Sequence, residues 1–248
     1  MLMKKLFFGL ALLFSTGCCL MSCSQDEIMN AESPVTRDYQ TDSEILSKFV
    51  DFNSLTGEYY LNENKKSTAI SYLTDKDWLD LQQVNPVNYE KYVKGLNELN
   101  QQLAEYEKDP NITQIVYSTY GKIYVKDLKK DSSIRISKVE KNVPLSRATY
   151  QTLTFMQGST SYASFTAGAK INTAVRIFST SYYLCELKCN TKGAQCVNNH
   201  SSGLVLSGTG STNTVYTWES GSASTYWDFT GTGRTLAFGS TAQVDFTN

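Results

Sequence analysis

The fold is decided by the segment 86–108, which reads PVNYEKYVKGLNELNQQLAEYEK. Asn85 is a good N-cap for a helix, and Pro86 suits the first helical position, where a missing N–H costs nothing. Large residues then recur at steps of three and four, which places them on one stripe: Tyr89, Tyr92, Leu96, Leu99, Leu103 and Tyr106. The stripe predicts an amphipathic helix packed on its own domain. A coiled-coil seam is the alternative, but the run is shorter than the sustained heptads of a coiled coil.

Two shorter helices are expected on the N-terminal side of this segment. Thr41 and Glu44 have capping-box spacing, which predicts a helix over 42–53. Thr74 is in position to cap a helix that begins at Asp75 and ends near Val84. Residues 57–66 are predicted to be a polar connection between the two.

The hydrophobic period changes to two after Pro110, which is typical of β-strands. Ile112–Ser118 and Lys122–Lys126 are predicted to form a hairpin, and short candidate strands continue to residue 247. Gly208-Thr209-Gly210 and Gly231-Thr232-Gly233 lack the Lys-Ser/Thr pair and the helix of a P-loop and are interpreted as turns. The expected fold class is α+β, with a short N-terminal helical region followed by a predominantly antiparallel β-sandwich-like domain.

Composition divides the chain near Ser146. Residues 24–146 contain 15 Lys+Arg and 20 Asp+Glu, whereas residues 147–248 contain 6 and 4. Ser, Thr and Gly make up 41 of those last 102 residues, but aromatic and β-branched residues recur among them and supply a core. The predicted organisation is a signal peptide (1–22), a flexible tether (23–40), a helical region (41–110), a β-hairpin with connecting strands (111–146) and a Ser/Thr/Gly-rich all-β domain (147–248).

The first residues have the pattern of an export signal. Lys4 and Lys5 precede an apolar run, Leu6–Phe14. This run is far too short for a membrane span, which needs roughly 20 apolar residues. We therefore expect a cleaved signal peptide rather than a transmembrane anchor.

The end of this segment, Leu20-Met21-Ser22-Cys23, resembles the lipobox of bacterial lipoproteins, although Met21 is larger than usual. The resemblance implies that Cys23 becomes the first mature residue and carries acyl chains. Cys18 is a rival site, but Ser15 then replaces the expected apolar residue. The next residues, Ser24-Gln25-Asp26-Glu27, are similar to the acidic surface-export tag of Bacteroidota-type lipoproteins. Together these features imply a lipid-anchored outer-membrane protein exposed at the cell surface.

Net charge disfavours a nucleic-acid partner. Removal of residues 1–22 takes away Lys4 and Lys5 and no acid, so the formal charge falls from −1 to −3. Neutralisation of phosphates by basic residues dominates the affinity of proteins for DNA and RNA. A chain with this net charge has no basic surface field that could supply it. The expected membrane contact is the lipid anchor itself.

Cysteine spacing leaves two interpretations and no expected cofactor. Cys185, Cys189, Cys196 and His200 follow the spacing C-x₃-C-x₆-C-x₃-H, which offers four ligands to zinc. A disulfide is favoured, because the protein is expected to be exported. Cys189 with Cys196 is the better pair, since Cys185 and Cys189 would lie ~13 Å apart on one strand. Cys185 is then a buried free thiol. His200 is the single histidine, so no site with two or three histidines can form within one chain.

Aromatic residues give the positive functional signal. Tyr216 and Trp218 share one face of a predicted strand, and Tyr226 and Asp228 lie opposite Trp227 on the next. Exposed rings of this kind stack on sugars while a carboxylate accepts hydrogen bonds from hydroxyls; buried, they form the core of a sandwich. The core interpretation is favoured for the two tryptophans, and all five residues remain candidates for ligand binding.

These features favour a non-enzymatic surface module that binds glycans or another envelope protein. The first alternative is a hydrolase of glycans or peptides that uses acids of the β part or a Cys185/His200 site. Glu186, Glu219, Asp228 and Asp245 are the acids available there. The second alternative is a structural subunit of an envelope complex that docks through the stripe Tyr89–Tyr106.

Acylation at Cys23 is directly testable. Radiolabelled palmitate should enter the wild-type protein and the Cys18→Ser variant, and should not enter Cys23→Ser. Intact mass spectra should show a mature chain that begins at Cys23. Equal labelling of all three proteins, or a chain that begins at Met1, would contradict the lipobox interpretation.

Overall fold

The computed structural model describes residues 37–65, 72–120, 122–129, 131–137, 149–179, 181–192, 203–210, 214–236 and 240–247. The helices are α1 (Tyr39–Lys48), α2 (Asp75–Gln82) and α3 (Pro86–Tyr106). The strands are β1 (Val50–Asn53), β2 (Glu58–Leu61), β3 (Ile112–Thr119), β4 (Lys122–Asp127), β5 (Asp131–Ser137), β6 (Thr149–Phe155), β7 (Thr160–Ala169), β8 (Asn172–Phe178), β9 (Tyr182–Cys189), β10 (Gly203–Thr209), β11 (Thr214–Glu219), β12 (Ser224–Leu236) and β13 (Thr241–Thr247). The expected β-rich α+β class is confirmed.

Helix α3 is explained by its local sequence. The side chain of Asn85 accepts a hydrogen bond from the Val87 N–H at 2.9 Å, and Pro86 occupies the first turn. All six stripe residues contribute to one hydrophobic cluster within the same chain. The stripe therefore packs on its own domain and leaves no seam for a coiled coil.

Helix α1 differs from the prediction at both ends. Asp38, rather than Thr41, is the N-cap, and its carboxylate accepts the Thr41 N–H at 2.7 Å. Residues 50–53, expected in the helix, form β1 because Phe52 is buried and pairs in register with Tyr59 of β2. Residues 58–61 are therefore a strand within the segment expected to be a connection. Helix α2 keeps the predicted start, with a capping box between Thr74 and Asp77.

Two further sheets form the body of the protein. The larger has seven strands in the order β5-β4-β3-β10-β9-β12-β7, and the smaller has four in the order β11-β8-β13-β6. Neighbouring strands are antiparallel except for β3 and β10, which are parallel. The compositional change near residue 146 falls between β5 and β6, and the larger sheet contains strands from both sides of it.

The two faces of the larger sheet contact different partners. One face, which we call the helix side, packs against α3 through Ile115, Tyr117, Leu184 and Val205. The other, the sheet side, shares a cluster with the four-stranded sheet through Val116, Cys185, Leu204 and Leu206. Because successive strand residues point to opposite faces, β3 and β10 are buried at every position.

Gly231-Thr232-Gly233 is not a turn, contrary to the prediction, and Gly208-Thr209-Gly210 turns only at its last residue, where Gly210 has a φ of 42°. Gly208 and Thr209 lie in β10, and Gly231–Gly233 lies in β12. A Cβ atom on Gly208 would come within 2.6 Å of the buried Tyr183 ring, which faces it across the strand pair. A Cβ atom on Gly231 would overlap Leu153 of the four-stranded sheet. These glycines permit close packing between strands and layers.

Gly208→Ala should therefore lower the free energy of unfolding by about 1–3 kcal/mol, because the fully buried Tyr183 ring cannot move aside cheaply. Urea unfolding measures the change. Ser164→Ala, at an exposed strand position, is the control and should change stability by no more than ~0.5 kcal/mol. Equal stability of the two variants would show that Tyr183 does not hold Gly208 in this packing.

Candidate functional site

Helix α3 covers only part of the helix side of the larger sheet. Among the described residues, the hydrophobic cluster on this side includes side chains from β3, β4, β9 and β10 and none from β12 or β7. Trp227 and Phe229 of β12 and Ala163 of β7 point to the sheet side. Their strand neighbours therefore face the helix side at a place where none of the described helices packs. We call this surface the open face: Thr160, Tyr162, Ser164, Thr166, Tyr226, Asp228, Thr230 and Thr232.

Strand register arranges the open face as a regular grid. Across β7 and β12, Tyr226 is paired with Thr166, Asp228 with Ser164, Thr230 with Tyr162 and Thr232 with Thr160. The grid continues onto β9, where Lys188 is paired with Thr230 and Glu186 with Thr232. Directly paired residues have Cβ atoms about 5 Å apart, so the hydroxyl groups form a dense polar surface. Tyr226 is 51% exposed and Tyr162 is 72% exposed.

A polar groove of about 230 Å³ lies at one end of this grid. It is lined by three threonines, two cations and one acid: Thr160, Thr230, Thr232, Lys188, Arg234 and Glu186. The hydroxyls of Thr160 and Thr232 are hydrogen-bonded to each other at 3.1 Å. The groove therefore presents hydroxyl, ammonium and guanidinium groups to solvent.

Glu186 is the buried centre of this groove, with a side chain that is only 4% exposed. Its Oε2 accepts hydrogen bonds from the Tyr106 hydroxyl at 3.1 Å and from Arg234 at 3.2 Å. Its Oε1 lies 2.5 Å from the Lys188 Nζ. Arg234 also donates through Nε to the Tyr106 hydroxyl at 3.1 Å. We call Tyr106, Glu186 and Arg234 the polar lock, because they join the last turn of α3 to β9 and β12.

Electrostatics in the polar lock favour one proton arrangement. Burial, and then the nearby Glu186 carboxylate, raises the pKa of Tyr106 to about 12. The pKa of Arg234 is raised by the charge interaction with Tyr106 and by its bond to Glu186. At neutral pH the phenol is therefore a donor and the guanidinium is charged, which matches the hydrogen bonds observed.

The five aromatic and acidic candidates do not come together. Trp227 and Trp218 are buried, and their indole N–H groups donate to Ala169 O at 3.3 Å and to Gln114 Oε1 at 3.1 Å. The side chain of Tyr216 lies outside the described residues. Tyr226 and Asp228 lie on the open face, opposite Trp227. Only these last two are placed to meet a ligand.

The cysteines are in different states. Cys189 is disulfide-bonded, whereas Cys185 is free and fully buried. Burial raises the pKa of the Cys185 thiol well above its ordinary value, which leaves it a poor nucleophile. Cys196 and His200 lie outside the described residues, so the pairing of Cys189 with Cys196 remains a prediction. A sulfur in a disulfide is not a thiolate ligand, which removes Cys189 from the zinc alternative. Among the described residues, no three His, Cys, Asp or Glu side chains are arranged to hold a metal ion.

The four acids of the β part lie in different surroundings. Glu186 and Asp228 share the helix side, but Glu186 is level with Thr232, four residues along β12 from Asp228. At a strand's rise this separates their backbones by about 14 Å, and the Glu186 carboxylate is engaged by Tyr106, Arg234 and Lys188. Asp245 is paired with Arg176 at 2.5 Å on the four-stranded sheet, and Glu219 is paired with Lys170 at 3.9 Å.

Sequence reasoning did not identify the groove. Its residues are far apart in the chain: Glu186 is 80 positions from Tyr106 and 48 from Arg234. One signal was available, because every second residue from Tyr226 to Arg234 is polar or tyrosine while the residues between them are apolar or small. The residues proposed for lipidation, including Cys23, lie outside the described part. No helix in the described part is long and apolar enough to cross a membrane.

Comparison with known proteins provides no assignment. The chain matches no protein family, no curated protein and no solved structure.

The polar lock should show energetic coupling in a double-mutant cycle. Arg234→Ala leaves a buried carboxylate with less compensation and should destabilise the protein, whereas the same change in a Glu186→Gln background should cost less. We expect a coupling of ~1 kcal/mol from urea unfolding, because Arg234 is half exposed. If the two substitutions change the free energy of unfolding by strictly additive amounts, Arg234 and Glu186 do not interact as the polar lock requires. The exposed ion pair of Lys170 and Glu219 is the control. A second cycle with Lys170→Ala and Glu219→Gln should show little coupling.

Proposed function

We propose that this chain is a lipid-anchored protein of the bacterial outer membrane whose folded body binds glycans at the open face, without catalysing a reaction on them. The observation that carries the proposal is the open face itself. It is a sheet surface that α1, α2 and α3, the helices of the described part of the chain, leave uncovered, and it is rich in hydroxyl groups and bears exposed tyrosines. The lipobox-like sequence at Cys23 supports the anchor.

The chemistry of the open face fits saccharides better than apolar ligands. Tyrosine rings offer an apolar surface for the C–H face of a sugar, with a hydroxyl for its polar edge. Ser and Thr hydroxyls both donate and accept, which suits the mixed donor and acceptor character of sugar hydroxyls. Tyr162 and Tyr226 are diagonal on the grid, about 14 Å apart by strand spacing, so a ligand that meets both must be extended.

The proposed anchor is close to the body in sequence. Arg37, near the end of the predicted tether, forms an ion pair with Asp80 at 2.7 Å, and α1 begins at Tyr39. We propose that residues 24–36 alone connect Cys23 to the body. An acylated Cys23 then ties the open face to the membrane through a tether whose length sets its reach.

We also infer that the two large sheets face each other as a β-sandwich. The support is a hydrophobic cluster that contains side chains of both sheets, among them Phe229 of β12 and Phe246 of β13, whose ring centroids are 4.3 Å apart. A sandwich of this kind gives the open face a rigid support, since the opposite side chains of β12 are locked in the core.

A glycan array with the mature protein tests the binding proposal. The wild type should bind at least one class of oligosaccharide, and Tyr162→Ala/Tyr226→Ala should lose at least ~90% of that signal, because stacking contacts contribute more than 1 kcal/mol. Tyr60→Ala is the matched control, since Tyr60 is 46% exposed on β2, away from the open face. It should bind like the wild type. Absence of any glycan ligand, or a signal that survives the double substitution, would overturn the proposal.

A further inference from the structure

The groove at the end of the open face has a charge imbalance that points to a class of glycan. Its ionisable lining consists of Lys188, Arg234 and Glu186, which together carry a net charge of +1. The negative member is buried, whereas Lys188 is 37% and Arg234 is 51% exposed. A ligand in the groove therefore meets the cations and not the carboxylate.

Hydrogen-bond capacity leads to the same conclusion. Oε2 of Glu186 accepts hydrogen bonds from Tyr106 and Arg234, and Oε1 forms an ion pair with Lys188. Arg234 uses its Nε and one terminal nitrogen on the polar lock, and Lys188 has one contact with Glu186. A guanidinium has five N–H donors and an ammonium has three, and neither group has an acceptor, so unused donors remain on both. The groove thus offers donors in excess of acceptors.

From this imbalance we infer that the groove binds the acidic substituent of a saccharide, a carboxylate or sulfate, while the opposite end of the open face, at Tyr226, holds a neutral sugar. The inference rests on the proposed glycan-binding function. Charge-assisted hydrogen bonds from guanidinium and ammonium to an oxyanion are about twice as strong as neutral ones. Tyr162 lies beside the groove, because Thr230 is paired with Tyr162 on one side and with Lys188 on the other.

Asp228, the one acid among the eight residues of the open face, fixes the orientation of the ligand. Asp228 lies two residues from Thr230 toward Tyr226, about 7 Å along the strand. Its carboxylate repels an oxyanion at that end and accepts hydrogen bonds from sugar hydroxyls. The acidic group is therefore directed to the Lys188 and Arg234 end.

The test is an array that carries each acidic oligosaccharide beside its neutral counterpart: uronic-acid chains with their methyl esters, and sulfated chains with their desulfated forms. The wild-type protein should prefer one acidic member by about tenfold, the effect of one charge-assisted hydrogen bond. The preferred pair identifies the carboxylate or the sulfate as the source. Preference for the neutral members would overturn this inference and leave the glycan-binding proposal intact, whereas no binding at all would overturn both.

Charge variants locate the site. Lys188→Gln and Arg234→Gln should each weaken the acidic ligand about five- to tenfold, with thermal melting used to confirm folding. Lys170→Gln is the control, because it removes the same charge from a half-exposed side chain. Lys170 follows the last residue of β7, at the opposite end of the strand from Thr160, so this change should alter affinity less than about twofold. A salt titration of the wild type needs no substitution: affinity for the acidic member should fall as ionic strength rises, and affinity for its neutral counterpart should not. Equal losses in all three variants, or no salt dependence, would contradict the assignment of the groove.

Discussion

The structure depends on the unequal cover of one seven-stranded sheet. Its sheet side shares a core cluster with the four-stranded sheet. On its helix side, the described residues that provide cover are those of α3, α1 and the β1–β2 hairpin, and they cover only part of its width. The strands beneath this cover are buried on both faces and need apolar residues in succession. Strand β12 lies beyond the cover, so its residues alternate between Trp227 and Phe229 inside and Tyr226, Asp228 and Thr230 outside. The open face exists because α3, a helix of 21 residues, and its neighbours are too narrow to cover all seven strands.

The polar lock marks the boundary between the covered and the open part. A carboxylate as buried as Glu186 is costly without partners, and here a phenol, a guanidinium and an ammonium supply them. Two of these partners keep exposed N–H donors, so the contacts that stabilise the end of α3 also give the groove its positive character. Structural support and the proposed recognition of an acidic group are therefore properties of the same few side chains.

The sequence predicted the helices that are determined by capping residues and hydrophobic spacing within the same segment. Helix α3 was predictable because its N-cap, its proline and its stripe agree, and α2 because Thr74 and Asp77 satisfy each other's backbone. The predicted turns at Gly208 and Gly231 are wrong because the reason for glycine is tertiary: Tyr183 and Leu153 occupy the space of a side chain. Strand β2 was missed because its cause is the pairing of Tyr59 with Phe52. The groove was out of reach for the same reason, since Tyr106, Glu186 and Arg234 meet only after the sheet and α3 have assembled.

Hydroxyl-radical footprinting at Tyr226 and Trp227 tests whether the helix side of β12 is exposed, because these neighbours are expected to point to opposite sides of one strand. In the free protein, Tyr226 should be oxidised rapidly and Trp227 should be spared, although indole is intrinsically the more reactive ring. Addition of an oligosaccharide that binds should then protect Tyr226. Rapid oxidation of Trp227, or a Tyr226 that is already protected without ligand, would show that the helix side of β12 is not the exposed surface on which the account depends.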